Sequence, residues 1–225
     1  MLTTGETYHI LTKSIAGFKV FNNISDFSRM QGVLQYYIFE GLSVSFSNFN
    51  KLADNKIKVF QNKNSVRSAE KLVEIIAWCL MPTHIHLVLK QLKDNGISKF
   101  MSNILNSYSR YFNIKHNRKG PLWEGRFKKI LVENDEQLLH LTRYIHLNPV
   151  TSCLVNRPED WSASSYKDYV YPDAAKDSLC CYRDFFDITP KAYREFVEDR
   201  ISYQRELAKI KHLLCEEDEQ PFPTS

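Results

Sequence analysis

Two long apolar, β-favouring runs constrain this chain most: Val73–Met81 (VEIIAWCLM) and Ile85–Lys90 (IHLVLK), with Pro82-Thr83 between them. Runs this close fold back on each other as a β-hairpin, and a proline at the turn does no harm because its missing N–H is not needed there. Thr7–Ser14 (TYHILTKS) reads as an earlier strand, with Tyr8, Ile10 and Thr12 on one face and His9 and Leu11 on the other. After Asn23, Ser25 and Asp26 offer caps to a helix whose apolar positions are Phe27, Met30, Leu34, Tyr37 and Ile38. A second periodic helix follows the hairpin, with Ile97, Phe100, Met101, Ile104, Leu105, Tyr108, Tyr111 and Phe112 at spacings of three and four or less. Phe127–Val132 reads as a strand, and Asn134-Asp135-Glu136 caps a helix over Gln137–Leu147 that Pro149 is expected to stop.

The order strand, helix, hairpin, helix, strand predicts an α+β protein. Its core is a ferredoxin-like β-α-β-β-α-β sheet with helices on one face. The expected division is a catalytic domain over 1–150 and a C-terminal α-helical extension over 151–225, the latter with a helix across Pro190–Leu214 and a frayed acidic tail. Residues 43–70 are polar and broken, and read as a loop region with short elements.

Composition narrows the function classes. With 43% hydrophobic and 25% charged residues the chain can bury a core. No apolar run approaches a membrane span, and the N-terminus carries no export signal, so a cytoplasmic protein without a membrane partner is expected. Five cysteines without a C-x-x-C pair argue against a zinc ribbon or a disulfide framework. The net charge of +4 is unevenly spread: +3 over 1–83, +8 over 84–130 and −7 over 131–225. A concentrated positive field suits a polyanion, although a solvated Lys/Arg face would have the same composition.

Three groups of residues could carry chemistry. His84 and His86 are one residue apart on a strand, so both imidazoles share a face and can reach one ion while Ile85 points the other way. By itself such a pair also fits an ordinary polar sheet face. Imidazoles with oxygen ligands suit Mg²⁺, Mn²⁺ or Zn²⁺. On the helix near Pro149, His140, Tyr144 and Asn148 follow at intervals of four and share a face, whereas His146 points elsewhere as a structural residue. A tyrosine with a pKa of about 10 becomes a useful nucleophile when a metal polarises the phosphate it attacks. A tyrosine that merely packs would look the same. The third group is the basic, aromatic stretch 108–129. It sets Arg110, Lys115, Arg118, Lys119, Arg126, Lys128 and Lys129 against the single acid Glu124, with Tyr111, Phe112, Trp123 and Phe127 interspersed. Phosphates attract the cations and unstacked bases attract flat rings, so Trp123 is expected as a stacking platform and Phe112 as core.

These pieces together resemble a family. Met81-Pro82-Thr83-His84-Ile85-His86-Leu87, Leu122-Trp123-Glu124-Gly125-Arg126-Phe127 and Tyr144-Ile145-His146-Leu147-Asn148-Pro149-Val150 occur in the order found in single-tyrosine HUH transposases. The branch they resemble is the REP-associated tyrosine transposases, and Tyr8-His9-Ile10 and Trp161-Ser162-Ala163-Ser164-Ser165-Tyr166 fit it too. The likeness covers roughly residues 7–170. It implies His84, His86 and Asn148 as ligands of a divalent metal, Mg²⁺ or Mn²⁺, and Tyr144 as nucleophile. It further implies single-stranded DNA folded into imperfect hairpins as substrate, a 5′-phosphotyrosine intermediate and a free 3′-OH. Family members occur as dimers that exchange active-site tyrosines and as monomers, so a homodimer stays open. Thr83 departs from the pattern, standing where Asn or Glu is common. Two other readings compete: a non-catalytic nucleic-acid-binding regulator derived from a transposase, and a metal-dependent hydrolase of a small phosphorylated substrate. The absence of a carboxylate cluster or Gly-rich phosphate loop weighs against the hydrolase.

Overall fold

The structure, a computed structural model, describes residues 2–42, 44–53, 70–173 and 178–206. Its elements are β1 (Thr7–Lys13), α1 (Ile24–Tyr37), α2 (Phe46–Ala53), β2 (Val73–Met81), β3 (His84–Gln91), α3 (Gly96–Lys115), β4 (Lys128–Leu131), α4 (Asp135–Thr151), α5 (Tyr166–Val170) and α6 (Pro190–Glu198). The four strands form one antiparallel sheet in the order β2-β3-β1-β4. That is the strand order of the expected ferredoxin-like arrangement, with α1 and α3 as its two crossover helices.

Strand alternation sorts the apolar side chains into two cores, one on each face of the sheet. Tyr8, Ile10, Trp78, Leu80, Ile85, Leu87 and Leu89 meet Met30, Leu34, Ile97, Phe100, Ile104, Tyr108 and Phe112 from α1 and α3. Ala77, Cys79, Met81 and Val88 face the other way, against Leu138, Ile145 and Leu147 of α4 and Tyr166, Tyr169 and Tyr193 beyond it. A bulge between Ile75 and Ala77 on β2 sets this phase. The sheet is therefore covered on both faces. The second layer comes from α4 and the residues that follow it. The edge of β2 is covered as well: Leu80 N donates to Ala163 O, and Ser165 N donates to Trp78 O.

The cap expected at Asn134 forms, its side chain accepting from Gln137 N at 2.8 Å. At α1 the cap is Asn23, whose side chain accepts from Asp26 N, so the expected caps Ser25 and Asp26 lie inside the first helical turn. The expected stop at Pro149 does not occur, because α4 continues to Thr151. Pro149 lies in the last turn, where its missing N–H removes one helical hydrogen bond, and its ring is buried, so packing outweighs that loss. Residues 43–70 contain α2. The rest of that loop reading (54–69) lies outside the described residues, as do the predicted helix beyond 206 and the acidic tail. No helix among the described residues is long and apolar enough to cross a membrane.

Candidate active site

The site lies on the sheet face covered by α4. His84 and His86 both project there from β3, with ring centroids 5.0 Å apart, while Ile85 between them is 1% exposed in the opposite core. Period-2 alternation thus delivers the pair as expected. Across α4, Tyr144 stands edge-on to His86 at 5.7 Å between centroids, and the Asn148 amide nitrogen lies 3.3 Å from His86 Nε2. Four residues of helix bring Tyr144 and Asn148 to the same spot. Tyr144 is 47% exposed, so its hydroxyl is open to a large ligand.

Two groups at the site escaped the sequence reading. His9, from β1, stacks on His86 at 5.3 Å, with His9 Nε2 3.0 Å from His86 Nδ1, and lies 6.4 Å from Tyr144. Its position on the strand face opposite Ile10 was legible. Its adjacency to His86 needed the β1–β3 register, in which Leu11 pairs with His86 and Val88 with His9. Lys13 pairs with His84 in the same register and adds positive potential to the site.

The electrostatics favour neutral imidazoles. Burial lowers the His9 pKa. His84 is lowered by burial and by Lys13, against a hydrogen bond to Asn148 that raises it. Burial, then the charges of His84, His9 and Lys13, push His86 down to about 3. With the Asn148 amide donating to His86 Nε2, the His86 proton sits on Nδ1 and is given to His9 Nε2. Thr83 Oγ1 lies 3.0 Å from His84 Nδ1, so the threonine that departs from the family pattern still contacts the first histidine of the pair.

The remaining predicted residues divide. His140 turns aside to Arg143 Nη2 at 2.8 Å, and His146 is fully buried between Tyr193 Oη and Ser165 Oγ, a structural role as expected. Trp123 is a correction. It is 8% exposed, its Nε1 donates to Leu105 O, and its ring packs on Phe21 and Tyr108, so no face is open for a base. A tryptophan at a loop–strand junction has the same local sequence whether it faces water or core. Lys115 is held by the buried Asp26 at 2.6 Å, on the opposite face from the histidines. Arg118 is tied to Asn113 Oδ1 and Pro121 O. Arg110, Lys119, Arg126, Lys128 and Lys129 are exposed. Lys128 pairs with Leu11 and so shares the sheet face of the site, whereas Lys129 pairs with Ile10 and points away.

Sequence comparison assigns the chain to a class of transposases. The model of the IS200-like transposase family matches residues 50–148, a span that includes His84, His86, Tyr144 and Asn148. A protein of Haemophilus influenzae described as a REP-associated tyrosine transposase is 30% identical over 131 residues, covering 49% of this chain and 74% of that relative. A solved REP-associated tyrosine transposase bound to a REP hairpin covers 84% of this chain and 93% of its own, at 18% identity and a TM-score of 0.45. The chain belongs to the REP-associated tyrosine transposases, which are DNA-cleaving enzymes.

Proposed function

We propose that this transposase cleaves and rejoins single-stranded hairpin DNA through a tyrosine-linked intermediate. The observation that carries the reading is the convergence of exposed Tyr144, the His84–His86 pair and Asn148 on one sheet face, beside positive charge from Lys13 and Lys128. Tyr144 Oη attacks the scissile phosphorus as the P–O3′ bond breaks. The tyrosine proton leaves Oη, the departing 3′ oxygen takes up a proton, and a 5′-phosphotyrosine and a 3′-OH remain. No water enters the bond exchange, so a second 3′-OH can reverse it and join new ends without ATP. His86 Nε2, His84 and the Asn148 carbonyl would hold a divalent cation, Mg²⁺ or Mn²⁺. Their chemistry fits: the imidazoles are neutral, and a half-turn of the amide exchanges its nitrogen for oxygen. The proposed ligand set is two imidazoles and an amide. When bound, the cation polarises the phosphate and offsets charge that develops in the transition state. His9 orients His86 by accepting its Nδ1 proton, as a partner behind a metal ligand does. The exposed cations Lys119, Arg126, Lys128 and Lys129 supply backbone contacts.

The test is covalent capture of labelled hairpin DNA on a denaturing gel with Mg²⁺ or Mn²⁺. Wild type is expected to give a protein–DNA adduct and Tyr144→Phe none. An equal adduct from both proteins rejects Tyr144 as nucleophile.

A further inference from the structure

On the side of the sheet away from Tyr144, α1, α2 and α3 enclose a groove of about 720 Å³. Its lining includes Arg29, Arg110 and Lys115, the rings of Tyr37 and Tyr111, and several asparagines and serines, but no Asp or Glu. Arg29 is the unusual member. Its guanidinium carbon lies 4.4 Å from the Phe46 ring centroid and 5.2 Å from that of Tyr111, so two aromatic rings fix its plane. Nη2 donates to Ser47 Oγ at 2.7 Å, while Nε is buried without a hydrogen-bond partner. Among the described residues Arg29 has no acidic partner, and neither has Arg110. Lys115 differs, because Asp26 neutralises it. Burial disfavours the Arg29 charge, and among the described residues only neutral or tyrosyl groups, Tyr111 and Tyr37 chief among them, work against that cost.

A flat, immobilised guanidinium with unused donors, beside a second free arginine and neutral amides, is suited to a phosphodiester. The groove's asparagines can also meet base edges, and its tyrosines can meet base faces. We infer that the α1–α2–α3 groove binds a backbone phosphate of the substrate DNA through Arg29 and Arg110, a contact separate from the chemical site. This rests on the DNA-processing reading above.

The test measures binding of a fluorescein-labelled oligonucleotide, with a hairpin stem and a single-stranded flank, by anisotropy over a range of salt concentrations. Arg29→Gln and Arg110→Gln are compared with wild type. Losing one phosphate contact should lower the salt slope by about 0.7–0.9 and weaken binding about five- to eightfold near ~0.1 M salt. Adduct formation on saturating DNA should keep its wild-type rate, since Tyr144 lies on the other side of the sheet. Arg29 is packed, so the exposed Arg110 provides the variant that does not depend on core integrity. Wild-type affinity and salt slope in Arg110→Gln would overturn the proposal, even if Arg29→Gln melts earlier. A wild type that neither binds the oligonucleotide nor forms an adduct rejects the DNA reading itself. Normal wild-type binding with unaffected variants rejects only the groove.

Discussion

Replacing His146 by glutamine should remove a specific part of this protein's acid sensitivity. His146 lies inside α4, 0% exposed, with Nδ1 2.6 Å from Tyr193 Oη and Nε2 2.8 Å from Ser165 Oγ. Tyr193 donates to Thr142 Oγ1, and Thr142 donates to Leu139 O, so Tyr193 must accept from His146. The ring then carries its proton on Nδ1 and accepts at Nε2 from Ser165 Oγ at 2.8 Å, a shorter contact for that hydroxyl proton than Trp78 O at 3.2 Å, which Ser165 N already serves. Every group in the chain is satisfied with a neutral imidazole. Burial pushes the His146 pKa down to about 3. In the unfolded chain a histidine titrates near 6.5, so only the unfolded state takes up the proton between those values. Stability is therefore unaffected above about pH 6.5 and falls as pH drops from there towards about 3. At pH 5 the loss integrates to about 2 kcal/mol.

His9, His84 and His86 are lowered too and add their own acid sensitivity, so wild type alone does not isolate His146. The difference between proteins does. Urea unfolding with EDTA present, followed by tryptophan fluorescence, gives stability at pH 7 and pH 5 for wild type and for His146→Gln. At neutral pH the variant should be about 1–3 kcal/mol less stable, because buried partners lose their hydrogen bonds. On going to pH 5 it should lose about 2 kcal/mol less than wild type. Equal losses in the two proteins would refute the assignment of a buried, neutral His146.

Three further outcomes follow from single contacts. His9→Ala should lower Mn²⁺ affinity about 10- to 100-fold in calorimetry, with partial recovery in His9→Gln; wild-type affinity in the alanine variant would remove His9 from the site. Trp123→Ala should cost about 3–5 kcal/mol in urea unfolding, as a core residue does, whereas a base-stacking residue on the surface would leave stability within about 0.5 kcal/mol. Gly96→Ala should cost about 1–3 kcal/mol, because the new Cβ would stand 2.3 Å from the Leu72 carbonyl oxygen, and backbone cannot swing aside; an unchanged thermal midpoint would contradict that contact.

What could be read in advance depended on how far apart the deciding residues lie. The hairpin, the first strand and the cap at Asn134 are local matters of period and hydrogen-bonding type, and they formed where expected, whereas the cap of α1 fell on Asn23, just before the expected Ser25 and Asp26. The pairing of His84 with His86, and of Tyr144 with Asn148, required only the repeat of a strand and of a helix. His9 was out of reach, because its partner is 77 positions away and only strand order brings them together. Trp123 failed for the opposite reason, since its burial is decided by Phe21 and Tyr108, which local spacing does not reveal. The end of α4 was misplaced because a propensity rule was overridden by burial of Pro149.

The region after α4, which carries no recognised catalytic residue, has a bearing on the chemistry through the helix that carries Tyr144. The first face of the sheet is filled by α1 and α3, so α4 can only bury its apolar side on the second, next to the histidines. There Asn148 meets His86 at 3.3 Å, and shorter polar contacts come from beyond residue 151. Tyr193 from α6 and Ser165 before α5 hold His146 from both ring nitrogens, and Ser165 Oγ also accepts from Trp78 N on β2. His146 is two residues from Tyr144, on the buried side of the same helix. Rotation of α4 that moved Tyr144 off His86 would break this buried chain, at about 1–3 kcal/mol for each polar group left unpaired. The region beyond residue 151 thus sets the helical phase of the proposed nucleophile, which explains why a site made of two strands and one helix needs a second layer behind it.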